Sequence, residues 1–163
     1  MRLRPLAPED DAWALALNAA SAPDVWPVSA ERFARLRETA FAALAAGERD
    51  GFAIAFDQDA DYDSPNFQWF RARRPRFVYV DRIAVAPARR RSGVARALYA
   101  EILARAAAVG APVCCEVNAT PPNPVSGAFH AALGFSAVGE GAFDGGAKHV
   151  RYLLRDAGAE DAA

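Results

Sequence analysis

A strand, a turn and a helix follow one another in the middle of the chain, and this order most constrains the fold. The β-branched run from Phe77 to Val85 predicts a strand, which Pro87 ends. Residues 94–108 carry apolar side chains at helical spacing, and Gly110 favours the end of that helix. A further apolar run at 113–118 predicts the next strand. Two strands joined through a helix predict a right-handed βαβ unit with parallel strands.

The regions on both sides of this unit predict antiparallel strands and more helices. Apolar runs at 41–46 and 52–56 flank a polar, glycine-bounded turn and predict a hairpin. The remaining predicted elements are a strand at 2–6, helices at 9–20, 30–38 with Ser29 as N-cap, 65–71 and 125–132, and a final hairpin of 135–141 and 148–154. The predicted fold class is α+β, with a mixed central β-sheet flanked by helices. We expect a single domain over residues 1–155 and a frayed tail over 156–163.

Composition excludes several classes of protein. The net charge of −1 gives no global field that attracts nucleic acid or an anionic membrane surface. No stretch approaches 18 apolar residues, and the first residues lack the apolar core of a signal peptide. Cys114 and Cys115 are adjacent, which disfavours a disulfide between them, and no Cys/His spacing indicates a zinc site. We therefore expect a soluble, cytoplasmic protein without a metal ion or a membrane partner.

The turn before the long helix predicts an anion site. The first amides of a helix have no intrahelical partner, and the helix dipole adds partial positive charge there. Gly93 lets the backbone come close to a bulky ligand. Arg90, Arg91 and Arg96 add permanent positive charge. We expect a phosphorylated ligand at this turn.

Two motifs resemble the signatures of one family, the GCN5-related N-acetyltransferases. Arg90-x-x-Gly93-x-Ala95 resembles the family's (Gln/Arg)-x-x-Gly-x-(Gly/Ala) motif. Residues 123–135 resemble its Asn-x-x-Ala-x-x-(Phe/Leu)-Tyr-x-x-Leu-Gly-Phe motif, and read Asn123-x-x-Ser126-x-x-Phe129-His130-x-x-Leu133-Gly134-Phe135. The resemblance is close over residues 77–141 and looser, in the order of elements, over the rest.

The resemblance implies acetyl-coenzyme A as the acyl donor. In this family the amides of the turn bind the pyrophosphate, and the preceding strand separates from its neighbour to bind the pantetheine arm. The strand positions implied are Ile83 and Val85, and Asn123 matches an asparagine that contacts the arm from the other side. The turn positions implied are Arg90, Arg91, Ser92, Gly93, Val94, Ala95 and Arg96.

Acyl transfer from a thioester to an amine needs a neutral amine, a donor for the developing oxyanion and a proton for the departing thiolate. The resemblance implies the backbone N–H of Val85 as the oxyanion donor, and the alternative is an ordinary hydrogen bond of the sheet. A lysine-like amine has a pKa of about 10.4 and an α-amine one of about 7.7–8.0. A general base therefore matters more for the lysine-like amine.

Two carboxylates are candidates for this base. Asp81 lies four residues before Val85 on the same predicted strand face, roughly 13 Å away at about 3.3 Å per residue, so a water relay would be needed. Its position resembles the glutamate of the family's histone acetyltransferase branch, and Glu116 resembles that of the ribosomal-protein branch. The structural alternatives are an ion pair of Asp81 with Arg82 or a loop arginine, and a solvated strand face for Glu116. A water-mediated mechanism, or an amine that arrives neutral, needs neither carboxylate.

His130 departs from the family pattern, which places a tyrosine there to reprotonate the coenzyme A thiolate. With an ordinary pKa of about 6.5, a histidine can donate that proton too. Some amino-acid and phosphinothricin acetyltransferases of the family also have histidine at this position. The structural alternative is a helix histidine that packs against the pantetheine arm without transferring a proton.

These features predict direct transfer to a small primary amine or an amino acid. Cys114 and Cys115 have no recognisable partner for a covalent acyl intermediate. The long segment 57–76 is of a length that can close over a small site; its Phe67 and Trp69 either wall that site or anchor the segment. Its basic residues at 71–76 are expected to be solvated or to close the site. The alternatives are a protein N-terminal or lysine acetyltransferase, and a non-catalytic acyl-coenzyme A-binding module. The sequence is compatible with a homodimer.

Overall fold

The computed structural model of the protein describes residues 1–159 and contains a seven-stranded sheet with helices on both faces. The strands are β1 (Leu3–Pro5), β2 (Ala42–Ala46), β3 (Gly51–Asp57), β4 (Val78–Val85), β5 (Val113–Thr120), β6 (Ser136–Phe143) and β7 (Lys148–Arg155). The helices are α1 (Asp11–Ala20), α2 (Ala30–Thr39), α3 (Pro65–Arg71), α4 (Val94–Ala108) and α5 (Pro124–Ala132). The strand order in the sheet is β1-β2-β3-β4-β5-β7-β6.

The local signals that predicted the helix ends are present in the structure. The Ser29 hydroxyl accepts a hydrogen bond from the amide of Arg32 at 3.1 Å and caps α2, as predicted. Gly110 follows α4 with φ of +68°, a backbone conformation that favours glycine. The predicted mixed sheet and α+β class are confirmed.

The parallel pair β4 and β5 confirms the βαβ unit, but the two strands pair only at their beginnings. Val78 lies opposite Val113, and Tyr79 lies opposite Cys114; no further pairs connect the strands. All the other neighbouring strands of the sheet are antiparallel. Beyond Tyr79 a gap therefore opens in the middle of the sheet.

A β-bulge at Asp81 changes which residues of β4 share a face. Val80 pairs with Ala55 and Arg82 with Ile54, so Asp81 is an extra residue with no partner on β3. Asp81 accepts a hydrogen bond from Tyr62, on the α3 side, whereas Ile83 and Val85 pack against the core on the α4 side. The prediction that Asp81 and Val85 lie on one face is wrong, because strict alternation does not survive the bulge.

The segment between β3 and β4 is anchored by its aromatic residues. Phe67 and Phe70 are fully buried, and the ring of Trp69 stacks on that of Tyr152 with centroids 4.2 Å apart. Gly139 on β6 makes room for the indole, since a Cβ there would clash with it. Of the two alternatives for Phe67 and Trp69, the structure shows the anchoring one. The arginines at 71–76 are exposed.

The end of the described chain forms a turn. The amide of Ala159 donates to the carbonyl of Asp156, and Arg155 also donates to the carbonyl of Ala159. The rest of the predicted tail, from residue 160, lies outside the described residues. Within residues 1–159 we find no helix with the length and apolarity needed to cross a membrane.

Candidate functional site

The gap between β4 and β5 holds a cavity of about 190 Å³, which we call the splay cavity. The amide of Ala86 donates to the carbonyl of Asp50, towards β3. Because successive backbone amides of a strand point to opposite sides, the amides of Val85 and Ile83 point towards the gap. The Val85 amide therefore does not hydrogen-bond β3. An ordinary hydrogen bond of the sheet was the structural alternative for this residue.

The turn before α4 has the geometry of an anion cradle. Arg91 and Gly93 have φ of +61° and +86°, and no atom lies within 4 Å of where a Cβ on Gly93 would be. The first helical hydrogen bond runs from the amide of Ala97 to the carbonyl of Gly93, so the preceding amides lack an intrahelical acceptor. Arg90, Arg91, Ser92, Gly93 and Arg96 are exposed around this open space, Ala95 is half-buried and the Val94 side chain lies in the core.

The second predicted motif forms the opposite wall of the splay cavity. The side-chain oxygen of Asn123 accepts from the amide of Ser126 at 3.2 Å and caps α5. Asn123, Ser126 and His130 all line the splay cavity, facing Ile83 across it. The structure therefore brings the two motifs to one cavity.

Glu116 lies on β5, just beyond the last residue that pairs with β4. Its Oε2 accepts from the Tyr79 hydroxyl at 2.6 Å, and its Oε1 from the Asn66 side-chain amide at 3.1 Å. The Tyr152 hydroxyl in turn donates to Asn66 Oδ1 at 2.9 Å. Burial raises the pKa of Glu116 to about 7, although the hydrogen bond from Tyr79 acts in the opposite direction. The solvated strand face considered for Glu116 is therefore wrong.

A second cavity of about 440 Å³, the wide cavity, lies beside the first. It is bounded by the connection from α1 to α2, by the start of α3 and by the sheet. Both cavities are lined by Trp26, Asp81, Arg82, Glu116 and Lys148. Glu116 thus stands at the boundary between the space that β4 opens and a space large enough for a second small molecule.

Asp81 is held in an ion pair. Its Oδ2 accepts from Arg82 Nε and its Oδ1 from the Tyr62 hydroxyl, both at 2.7 Å. The two charged side chains are only 5% and 4% exposed. This is the structural alternative predicted for Asp81, and it leaves the carboxylate neutralised by a permanent cation. No described Lys or Arg side chain forms an ion pair with Glu116.

Both ring nitrogens of His130 are engaged. Nδ1 lies 2.7 Å from the carbonyl oxygen of Ser126 and must donate to it, so Nε2 accepts from the Tyr99 hydroxyl, also at 2.7 Å. Burial lowers the pKa of His130 and raises that of Tyr99 well above its ordinary value. The imidazole is therefore neutral near pH 7, and Tyr99 lies beside it at the splay cavity.

Sequence reasoning missed four residues that build this site. Tyr79 lies in the predicted strand two residues before Asp81, a spacing that could have indicated a shared face. Tyr99 lies within the predicted long helix, whose apolar spacing does not indicate a role at the splay cavity. Asn66 and Tyr62 come from the segment between β3 and β4, where no local pattern reveals which side chains reach the sheet.

Comparison with known proteins agrees with this geometry. The family model described as the Acetyltransferase (GNAT) family matches residues 9–135. A comparison with curated protein sequences gave no significant match.

Solved structures share the fold at low sequence identity. The ribosomal-protein-S18-alanine N-acetyltransferase from Escherichia coli has a TM-score of 0.69 and 19% identity, covering 99% of this chain and 96% of that one. Chaetomium thermophilum Naa20 in complex with a bisubstrate analogue has a TM-score of 0.75 and 19% identity, covering 96% and 86%. Arabidopsis thaliana NAA60 in complex with acetyl-CoA has a TM-score of 0.74 and 17% identity, covering 95% and 98%. Since the family model spans most of the chain, the protein belongs to the GNAT acetyltransferase family.

Proposed function

We propose that the protein is an N-acetyltransferase that moves the acetyl group of acetyl-coenzyme A directly to a primary amine in the wide cavity. The observation that carries this proposal is the position of Glu116. Its carboxyl group lies at the boundary of the two cavities and is hydrogen-bonded by Tyr79 and Asn66. A base at this boundary lies next to an amine in the wide cavity and next to a thioester in the splay cavity.

The splay cavity and the turn before α4 fit acetyl-coenzyme A. The open space at Gly93 and the first amides of α4 suit its pyrophosphate, with Arg90, Arg91 and Arg96 nearby. The backbones of Ile83 and Val85 would bind the pantetheine arm along the gap, and Asn123 would contact it from α5. The acetyl group would then lie near Glu116.

The transfer needs three proton or charge movements. Glu116 takes a proton from the ammonium group, and the neutral amine then attacks the thioester carbonyl. The amide of Val85 points into the gap and would donate to the oxyanion of the tetrahedral intermediate. When the C–S bond breaks, the nitrogen gives up its second proton and the thiolate takes one up, so the products are an amide and a free thiol with no net change in protons. The acid that we assign to this step is Tyr99: its hydroxyl, which donates to His130 Nε2 in this structure, turns to the thiolate, and the proton released by the nitrogen restores it.

The acceptor that best suits this base is an α-amine. A carboxylate with a pKa of about 7 takes a proton from an α-ammonium group of pKa about 7.7–8.0 at a cost of ~1 kcal/mol. From a lysine-like ammonium group of pKa about 10.4 the same transfer costs ~4–5 kcal/mol. These α-amine values belong to a peptide N-terminus; in a free amino acid the neighbouring carboxylate raises the pKa of the ammonium group, so the cost lies between the two figures. We propose a small molecule with an α-amine, such as an amino acid, because the wide cavity has the volume of a small-molecule site.

A protein N-terminus is the second candidate, because it also presents an α-amine. The name of the Escherichia coli structure describes acetylation of an alanine of a ribosomal protein. Both candidates present an α-amine, and they differ in the size of the acceptor and in the pKa of its ammonium group.

An acceptor panel tests the proposal. Purified protein and acetyl-coenzyme A are incubated with amino acids, amino amides, short peptides with a free N-terminus, and peptides whose only amine is a lysine. Thiol release and the mass of the product are measured. We expect turnover with amino acids above that with peptides, and little with lysine amines. Binding of acetyl-coenzyme A without turnover on any amine would instead indicate a non-catalytic module.

A further inference from the structure

Lys148 has an unusual position for the only lysine in the chain. It begins β7 and lines both cavities. Its Nζ lies 3.7 Å from the centre of the Trp26 ring, a cation–π contact. Its ammonium group has no hydrogen bond or ion pair with any residue in the described part of the chain. A half-buried cation is thus left without an anionic partner.

The wall that holds Lys148 is itself fixed. The carbonyl of Trp26 accepts from Asn18 Nδ2 at 2.9 Å and from Arg82 Nη1 at 3.3 Å. Asn18 and Arg82 are both buried, and Arg82 Nη1 also donates to Asn18 Oδ1 at 3.0 Å. The connection between α1 and α2 is therefore tied to the bulge of β4, and it presents the indole to Lys148 at a defined position.

Among the described residues that line the wide cavity, Lys148 is the cation without an ion-pair partner. Arg32 pairs with Asp63, and Arg82 pairs with Asp81. Asp24, Asp144 and Glu116 are close enough to favour the charged form of Lys148, but none lies within ion-pair distance. Burial nevertheless lowers the pKa of Lys148, because the desolvation of the ammonium group outweighs the attraction of these three carboxylates.

We infer that Lys148 binds a carboxylate of the acceptor, which makes the acceptor an amino acid or another small amine that carries a carboxylate. This inference rests on the proposed function. Glu116 on β5 pairs with Tyr152 on β7. Lys148 begins β7, four residues before Tyr152 and about 13 Å away along the strand. The two long side chains shorten that separation from either end, and they meet in one cavity. A small zwitterion between them would give its ammonium group to Glu116 and its carboxylate to Lys148.

The test compares common L-amino acids with their α-amides, which keep the amine and lose the carboxylate. We expect the wild-type protein to have a KM about 10- to 100-fold lower for the acid, the range given by a charge-assisted hydrogen bond. Lys148→Met should raise KM for the acid to the value for the amide and leave the amide unchanged. Lys148→Arg should keep part of the preference. Arg151→Met, an exposed cation on the same strand, is the matched control and should behave as wild type.

Equal KM values for acid and amide in the wild-type protein, or an equal change of both in Lys148→Met, would overturn the inference. A wild-type protein that acetylates no amine would overturn the proposed function instead. In that case calorimetry with the same amino acids still tests Lys148. Weaker binding to Lys148→Met than to wild type supports the inference, and equal or absent binding overturns it.

Discussion

The Tyr79 hydroxyl hydrogen-bonds Glu116 across the point where β4 and β5 separate. Tyr79 belongs to the last residue pair that connects the strands, and Glu116 is the acidic residue that follows on β5. The hydrogen bond therefore joins the closed end of the sheet to the open gap. It holds the carboxylate at the boundary of the two cavities, where an amine and a thioester can both approach it.

The first prediction concerns the pH dependence of turnover. Glu116 acts as a base only when ionised, so kcat/KM should rise as pH increases through its pKa of about 7. Glu116→Gln should lower kcat by about 10²–10⁴-fold and remove this rise, leaving only the titration of the amine itself. Steady-state rates measured from roughly pH 5.5 to roughly pH 9 check this expectation. Glu140→Gln, an exposed glutamate on β6, is the control; an unchanged profile in Glu116→Gln would exclude Glu116 as the base.

The same carboxyl group should make stability depend on pH. Burial raises its pKa from 4.5 in an exposed carboxyl to about 7 in the folded protein. Between these values the unfolded chain loses the proton first, so stability falls as pH rises from 4.5 and levels off above 7. The glutamine side chain in Glu116→Gln cannot ionise. As pH rises across this range, the free energy of unfolding of the variant should therefore increase relative to wild type, by at most about 3 kcal/mol. Denaturant unfolding at several pH values measures it, and a flat difference would contradict the expectation.

Asp81 should matter for stability more than for proton transfer. Asp81→Asn leaves the buried guanidinium of Arg82 without its ion-pair partner, which costs about 3–5 kcal/mol. The rise of kcat/KM near pH 7 should persist in this variant. Thermal or denaturant unfolding gives the loss of stability. Loss of the pH-dependent rise, with stability unchanged, would instead assign the base to Asp81.

His130→Phe should lower kcat more than it lowers the affinity for acetyl-coenzyme A. The imidazole accepts the Tyr99 hydroxyl hydrogen, so its removal leaves that hydroxyl without its partner beside the thiolate. Tyr99→Phe should have the same effect, and the double variant should cost no more than either single one. Turnover and calorimetric binding of acetyl-coenzyme A separate the two quantities. If turnover in His130→Phe equals that of wild type, a role for His130 in protonating the thiolate is ruled out.

A methyl group at Gly93 should weaken binding of acetyl-coenzyme A. Gly93→Ala places a Cβ into the open space of the cradle and strains a residue with φ of +86°. Gly158→Ala is a matched control, because Gly158 has φ of +79°, equally open surroundings and no place in the lining of either cavity. We expect similar losses of about 1 kcal/mol in stability for both. Only Gly93→Ala should raise KM for acetyl-coenzyme A, by about tenfold if one amide contact is lost; equal KM values would contradict the cradle.

The elements of the fold could be predicted because their signals are local. Ser29 caps its helix through a contact three residues away, and Gly110 ends another through its own backbone conformation. The apolar spacing of α4 likewise depends only on residues within the helix. None of these signals requires knowledge of which strands become neighbours.

The site could be predicted only in part, because its decisive contacts join residues far apart in the chain. The cradle before α4 follows from a short motif. The environment of Glu116 instead depends on Tyr79 and on Asn66, which approach it from another strand and another helix. Burial by these neighbours sets the pKa of the carboxyl group, and no pattern around Cys115-Glu116-Val117 contains that information.

The bulge residue Asp81 divides β4 into two parts with different surroundings. Beyond Asp81 the polar groups of the backbone at Ile83 and Val85 face the gap. The side chains of Asp81 and Arg82 lie on the α3 side of the sheet and line both cavities. Because Val80 and Arg82 pair with consecutive residues of β3, a strand without Asp81 would keep Ile83 and Val85 in their present register and orientation. The bulge and the gap are thus separable: deletion of Asp81 would remove the partner of Arg82 and Tyr62 but leave the backbone groups that face the gap in place.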